Sequence, residues 1–468
     1  MAKILIFTTE LTSISGLSTG GRGIRIQNLI NGLKLHNHNV ITSFLAENIA
    51  YIETQKKIKV PEEYKIHCHQ YEYSKIITEI NPDVIIFSPW TLAISYNNKK
   101  FKNIPVVIDM PGMLTLENIY DKTEENFFFL AKKIYSLNKA DLFCISNPRQ
   151  KYFLYPLLIM AGADLKKKPL IQVPISYSDD IPEHKSYPSP PVFVFSGILW
   201  KWQNYGDSLN VIADYISKSG GKLDLFCGNF IYKKEDRSLD NLKKNKSVNV
   251  NGLVDHDILI EKYLQSSAAI ELYLPNPERE LATTTRTFEY FWSGLPVIYS
   301  KGMFLAEFIK EYDAGWVVDP ANKNELINVL EEITTNPEIC KTKGTNAQKL
   351  LKEKFNNYAS TSKLSEFCSN PKKLNNKNNF ISFLSEENIK KSDKIRHLKN
   401  TVLSHINNEI SLKNKQNSEL ISENIFLKKI NKELETDLTR IKNRLIFRSL
   451  LKIKKIFELI KDLILLKK

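Results

Sequence analysis

Short apolar runs recur along the first 340 residues, and their spacing leaves few folds open. KILIFTT, HNVITSFLA, DVIIFSP, IPVVIDM and ADLFCIS each place several Val, Ile, Leu or Phe residues almost in a row. Runs of that length and composition are strands covered on both faces; a sheet with one wet face would alternate apolar and polar residues. Stretches at helical spacing lie between them. In GIRIQNLINGLKLH, for example, Ile26, Leu29, Ile30 and Leu33 fall on one face. Strands and helices in alternation predict an α/β fold with a parallel sheet. The pattern ends near LIQVPIS.

SDDIPEHKSYPSPP then interrupts it with four prolines and several charges, the composition of a hinge. PVFVFSG opens a second round, continued by GKLDLFCG, VNVNGLV, AAIELYL, GLPVIYS and GWVVD, with YGDSLNVIADYISKSG and HDILIEKYLQSSA as helices between. We therefore expect two Rossmann-like domains facing a cleft, at 1–178 and 191–368, joined by a hinge at 179–190. A polar linker follows at 369–380.

The remainder differs in kind. From Ile381 onward there is neither proline nor glycine. A 3-4 spaced series runs through Leu403, Ile406, Ile410, Lys413, Asn417, Leu420, Asn424, Leu427, Asn431, Leu434, Leu438, Ile441 and Leu445. That is the seam of a coiled coil over 381–445, whose polar members set register or strand number. A homo-oligomer through 403–445 is the favoured expectation, and a long helix packed on the body the other. In 446–468, Ile446, Leu450, Ile453, Phe457, Ile460 and Ile464 share a face, with Arg and Lys dominating the rest. A basic amphipathic helix of this kind suits an anionic membrane surface; a continued seam is the plainer alternative.

Charge supports this division. The 468 residues carry a net charge of +14, yet residues 371–468 hold 23 Lys and Arg against 11 Asp and Glu. The first 370 residues, with 43 against 41, are nearly neutral. A body gripping phosphodiester backbones would be basic itself, so no nucleic-acid partner is expected. The five cysteines lie far apart, with no C-x-x-C pair, which argues against a disulfide framework or zinc site. MAKILIFTT lacks the apolar core and cleavage site of a secretory leader. No uninterrupted run of about 18 apolar residues suggests a membrane span.

In open α/β sheets, ligands bind beyond the carboxyl ends of the strands. Two loops there carry chemistry. After the first strand, ELTSISGLSTGGRGIRI brings Gly20 and Gly21 to the start of a helix, where backbone amides can approach an anion; a flexible turn would look alike. In PNPERELATTTRTFEYFWSGLPVIYS, Thr284, Thr285 and Arg286 precede a helix, suiting a diphosphate. Glu289 lies about one turn further, where a carboxylate can accept hydrogen bonds from two ribose hydroxyls.

These residues resemble a known family. TFEYFWSGLPVI looks like the nucleotide-sugar signature of retaining glycosyltransferases of the family-4 type, which have the GT-B fold. VNVNGLVDHDILIEKYLQSSAAIELYLP and STGGRGIRIQNLINGLKLHNHNV resemble the neighbouring elements. Arg286 to Ile298, Trp200-Lys201-Trp202 and Arg149 to Leu154 together resemble a bacterial subgroup linked to surface polysaccharides. The likeness spans roughly residues 1–365. It implies Glu289 at the donor ribose, with Gly20, Gly21, Gly197, Lys201, Thr284, Thr285 and Arg286 around the diphosphate. It further implies Asp109 as an acceptor-side group and Glu280 at the sugar, one position out of register with the first of the family's paired glutamates. Ile198 and Gln203 stand where the family has Arg and Lys. The expected activity is retaining, hexosyltransferase-type transfer from a nucleotide sugar to a glycan or glycolipid acceptor, without metal or other cofactor. The expected location is the cytoplasmic face of the membrane. The alternative is a coiled-coil scaffold with a degenerate body.

Overall fold

The structure is a computed structural model that describes residues 1–10, 19–45, 49–50, 52–60, 67–68, 73–121, 126–228, 239, 241–374 and 430–440. The chain divides into two compact units, Met1–Ser382 and Phe383–Lys468.

The larger unit is built on two parallel sheets. β1 (Lys3–Thr8), β2 (Asn39–Leu45), β3 (His67–Cys68), β4 (Val84–Ser88), β5 (Val106–Met110), β6 (Leu142–Ile145) and β7 (Leu170–Gln172) run in the order β3-β2-β1-β4-β5-β6-β7. β8 (Val192–Ile198), β9 (Lys222–Gly228), β10 (Val248–Val250), β11 (Ala268–Glu271), β12 (Val297–Ser300) and β13 (Gly315–Val318) run in the order β10-β9-β8-β11-β12-β13. The first strand of each sheet is thus central, and the winding direction reverses beside it. That reversal opens a crevice at the carboxyl ends of β1 and β4, and again at those of β8 and β11.

The apolar runs explain the layering. Successive strand residues point to opposite faces. In β1, Leu5 and Phe7 enter one buried cluster with Phe87 and Ile108, while Ile4 and Ile6 enter another with Ile86 and Val107. Every apolar residue of the run therefore has a core to join, each worth about 1.5–3 kcal/mol when fully buried.

The helices are α1 (Gly21–Leu35), α2 (Tyr73–Ile80), α3 (Leu114–Asp121), α4 (Asn126–Leu137) and α5 (Gln150–Met160) in the first half. The second half has α6 (Ser208–Ser219), α7 (His256–Tyr263), α8 (Pro277–Leu281), α9 (Arg286–Trp292), α10 (Ala306–Tyr312), α11 (Lys323–Thr335) and α12 (Glu338–Lys354). α13 (Asn357–Ser369) then returns to the first half. Its Leu364 and Cys368 join the cluster of Ile26, Leu29 and Leu33 on α1. Gly32 permits this approach, since a Cβ there would lie 2.5 Å from Oγ1 of Thr361.

The proline-rich stretch is bound to the second half rather than free. Nδ1 of His184 lies 2.7 Å from the Ser293 carbonyl, and the Tyr187 hydroxyl donates to the Gly294 carbonyl at 2.7 Å. The chain crosses between halves at Tyr177, whose amide donates to the Phe355 carbonyl at 3.0 Å. His67 and Cys68 form the edge strand β3; His69 lies outside the described residues.

In the smaller unit, residues 430–440 are helical, with Ile430, Asn431, Leu434 and Leu438 less exposed than the rest. The rest of the coiled-coil seam and the 446–468 helix lie outside the described residues. Among the described residues, no helix is long and apolar enough to cross a membrane.

Candidate functional site: the switch points of the two sheets

α9 enters the second half by burying Phe288, Tyr290 and Phe291. The Tyr290 hydroxyl is 2.9 Å from Oγ of Ser196 on β8, which fixes the helix start beside the end of that strand. Arg286, the first residue of α9, consequently lies against Gly197. Gly197 has φ +110°, and a Cβ there would overlap Nη1 of Arg286. Glycine is required twice at this point, for backbone and for space.

Arg286 is held in a polar socket. Nε donates to Oε2 of Glu271 at 2.9 Å, and Nη2 to Oε1 at 3.3 Å. Nη1 donates to the Ser196 carbonyl, while Nη2 reaches the Tyr273 hydroxyl and, at 3.4 Å, Oε1 of Gln203. Burial opposes the guanidinium charge, but Glu271 and the tyrosine hydroxyls outweigh it and raise the pKa. Gln203, where the family likeness implies a Lys, thus faces the arginine. Lys201 is exposed in the same turn and lines a cleft with Trp200, Gln203 and Tyr205. Trp200 and Trp202 are stacked there, with centroids 4.8 Å apart.

The glycine loop meets α9 across the two halves. Oγ1 of Thr285 donates to the Gly21 carbonyl at 3.4 Å, and a Cβ on Gly21 would stand 3.0 Å from that oxygen. Gly20 caps α1. The carboxylate of Glu10 accepts from the Gly23 amide and from Arg22 Nη1, each at 3.2 Å. An oxyanion already rests on the helix N-terminus, so the geometry accommodates one. Thr284 turns away, its Oγ1 2.7 Å from Oγ1 of Thr287.

Glu289 lies one turn into α9 and is 2 % exposed. Nε2 of His256, the first residue of α7, lies 2.6 Å from its Oε1, and the Tyr177 hydroxyl donates to it at 3.5 Å. Burial of the imidazole opposes its charge; the Glu289 hydrogen bond and charge, with Asp257, reverse that and raise its pKa. His256, Glu10, Glu271 and Tyr273 are the site groups that sequence reasoning missed. The signal available for Glu271 and Tyr273 was their place at the end of AAIELYL, beyond a strand beside the switch point.

Two expected residues stand apart. Asp109, at the end of β5, is 1 % exposed. Its carboxylate accepts from Arg25 at 3.0 and 3.4 Å and from Oγ of Ser88 at 3.0 Å. Glu280 is exposed at the surface of α8, while Glu278 is buried in a bidentate pair with Arg279. The cap decides this. Oδ1 of Asn276 accepts from the Glu278 and Arg279 amides, each at 3.0 Å, which fixes the helix phase. Glu280, two residues on, then points about 200° away from Glu278.

The Asn147–Arg149–Gln150 segment bridges the halves. Asn147 Nδ2 donates to the Leu281 carbonyl at 2.8 Å and to Thr283 at 2.9 Å; Gln150 Nε2 donates to the Leu281 carbonyl at 3.0 Å. Arg149 reaches the Gly302 carbonyl. The backbone just before α9 is thereby set from the other half.

Residues 177–350 match the family model of group 1 glycosyl transferases. No curated protein matches the chain by sequence. Among solved structures, the chain is similar to sucrose-phosphate synthase from Thermosynechococcus elongatus, with TM-score 0.57 and 14% identity, covering 78% of this chain and 98% of that one. It is also similar to Anabaena HepE in complex with UDP-glucose, with TM-score 0.55 and 15% identity, covering 79% and 100%. An alpha-glucosyltransferase in complex with UDP gives TM-score 0.58 at 12% identity, covering 79% and 100%. At such identities the likeness is one of fold. The two-sheet body has the GT-B fold. Among the described residues, no group of three or more His, Cys, Asp or Glu is placed to hold a metal.

Proposed function

We propose that the chain is a glycosyltransferase that moves a sugar from a nucleotide sugar to a hydroxyl of a glycan, with retention, in building a cell-surface polysaccharide. The observation that carries this reading is the convergence of Gly197, Arg286, Thr285 and the Gly20–Gly21 loop, with Glu289 one turn beyond. Amides, hydroxyls and a guanidinium at one point suit a diphosphate, and a buried carboxylate nearby suits a ribose. Lys201 extends from the β8 turn as a further cation, and Thr284 orders the start of α9 through Thr287. Asp109 holds Arg25 and with it the base of α1. Glu280 is the weakest member of this assignment, since its side chain is exposed.

In such a transfer the diphosphate leaves with negative charge, and a preorganised arginine and helix terminus stabilise it without reorganisation. The family match of residues 177–350 and the UDP complexes of similar folds support a nucleotide-sugar donor. The basic helix expected over 446–468 would bring the chain to an anionic membrane surface, where a glycolipid acceptor would lie, and the 403–445 seam would hold copies of the chain together. One observation favours the scaffold reading: Arg286 is already paired with Glu271. Thermal melting with UDP, GDP and ADP, followed by nucleotide release from a panel of nucleotide sugars, separates the two. A stabilised protein that releases nucleotide is the enzyme; one that no nucleotide stabilises is the scaffold.

A further inference from the structure

α5 is apolar on two faces. Leu154, Leu157 and Leu158 are buried in the first-half core with Leu137 and Phe143. On the opposite side Tyr152, Tyr155, Pro156 and Ile159 recur at helical spacing. Tyr152 is 70% exposed and Ile159 58%, and Pro156 is exposed as well. Tyr152 and Tyr155 meet edge to face with centroids 6.1 Å apart, and Nζ of Lys151 lies 4.8 Å from the centre of the Tyr152 ring. An ordinary surface helix turns charge toward water. α11 does so, exposing Lys323, Glu331 and Glu332 opposite the buried Leu326, Leu330 and Ile333. The only charged residue within α5 is Lys151.

Charge follows directly after the helix. Lys166, Lys167 and Lys168 are exposed, in the turn that packs on its end. Residues 149–168 hold five Arg and Lys against one acid, Asp164. The rest of the first 370 residues holds 38 against 40. A basic stretch in an otherwise balanced body thus adjoins the apolar stripe. Nζ of Lys167 donates to the Leu374 carbonyl at 3.1 Å, and Lys373 pairs with Asp141 at 2.9 Å. Leu374 is the last described residue of the larger unit, so the basic tail is rooted at these lysines. At its other end α5 begins where the two halves meet. Gln150 donates there to the Leu281 carbonyl, and Tyr152 stands two residues on.

We propose that the outer face of α5, with Lys166 to Lys168, rests on an anionic lipid bilayer, as a contact of the body separate from the tail. Tyrosines on an apolar stripe suit the headgroup boundary, where the ring is buried and the hydroxyl stays wet. Lysines beside them attract anionic headgroups within a Debye length. A second copy of the chain on this face would set the lysines against their own equivalents, and the chain's own tail would bring them further positive charge. An anionic surface has the opposite sign. The contact needs no substrate, so it stands or falls independently of the glycosyltransferase reading and of the 446–468 helix. If both hold, it keeps the meeting of the two halves close to the lipid.

The test uses the full-length protein in a Cys68→Ser background, where Cys144, Cys227, Cys340 and Cys368 are buried. A nitrobenzoxadiazole label is attached at Tyr152→Cys, or at Ile327→Cys on α11 as a control. Vesicles are phosphatidylcholine alone, or phosphatidylcholine with about 30% phosphatidylglycerol. Emission at position 152 should shift to the blue with the anionic vesicles only, and emission at 327 should stay put. A protein that floats with anionic vesicles while position 152 keeps its aqueous emission is attached by its tail alone, which overturns the proposal. So does a protein that does not float at all, or an equal shift at both positions. A label already blue without vesicles, or one that moves with protein concentration, shows the stripe covered by the tail or by a second copy, with the same consequence. The second arm is the partition coefficient of unlabelled protein. Lys166→Glu/Lys168→Glu should lower it at least about tenfold, and Tyr152→Ser/Ile159→Ser should lower it too, both with the wild-type melting temperature. Unchanged partitioning in both variants overturns the proposal.

Discussion

Each half of the body contains a buried arginine–carboxylate pair beside its switch point, and the two differ in access. In the first half, Arg25 and Asp109 are 3.0 Å apart and both 1% exposed. Ser88 and the Val173 and Pro174 carbonyls complete the shell. In the second half, Arg286 and Glu271 are 2.9 Å apart, but the arginine side chain retains 12% exposure. Chemistry alone does not separate the pairs, since both sit at the carboxyl ends of central strands. Access does. A sealed pair fixes helix and strand relative to each other, while an open one can share its charge with a ligand.

The largest effect should come from breaking the sealed pair. Arg25→Met leaves Asp109 charged and buried without its counter-ion, a loss of about 3–5 kcal/mol in unfolding free energy. Replacing both as Arg25→Met/Asp109→Leu should recover much of that, which chemical denaturation can measure. If the single substitution costs nothing, the pair is not structural. The open pair should respond differently. Gly197→Ala must move the strand end or the Arg286 guanidinium, with strain of about 1–3 kcal/mol at positive φ. Calorimetry should find nucleoside diphosphate affinity down at least about tenfold, which is 1.4 kcal/mol. Retained affinity would remove Arg286 from the diphosphate site.

A smaller effect should follow from the cap that orients α8. Asn276→Ala loses two amide contacts and should cost about 1 kcal/mol. It should also loosen the Glu278–Arg279 face, read as faster amide exchange over 277–281. The smallest is a pH effect. The pKa of His256 is raised in the folded protein, so its contribution is complete below the unfolded histidine value, about 6.5. It is lost as pH rises through the folded pKa. Glu289→Gln should flatten this slope of stability against pH; an unchanged slope would mean that the His256–Glu289 contact is not formed in solution.

Much of the fold was legible in the residues. Both sheets follow from the apolar runs, because a strand buried on two faces has no polar positions to blur it. The short strand His67–Cys68 was not legible, since two residues carry no periodicity. The site was legible in part. Gly197, Arg286, Thr285 and Gly21 come together as their positions after strands imply. The partners of Arg286 were harder to read, as Glu271 is 15 positions away in the chain and only its place at the end of a strand marks it. The exposure of Glu280 was not legible for a similar reason. The helix phase that buries Glu278 instead is set by a cap, and a cap shifts every side chain of a short helix together.

By itself, the sequence determined the two α/β rounds, their separation by a proline-rich break, and the concentration of positive charge in the last 98 residues. These are properties of composition and period, carried by many residues at once. Tertiary structure decided which of two like ion pairs is sealed and which is open. It decided that Glu278 rather than Glu280 is the buried carboxylate of α8. Such outcomes depend on single contacts between residues distant in the chain, where one side chain's position settles the matter and no local pattern records it.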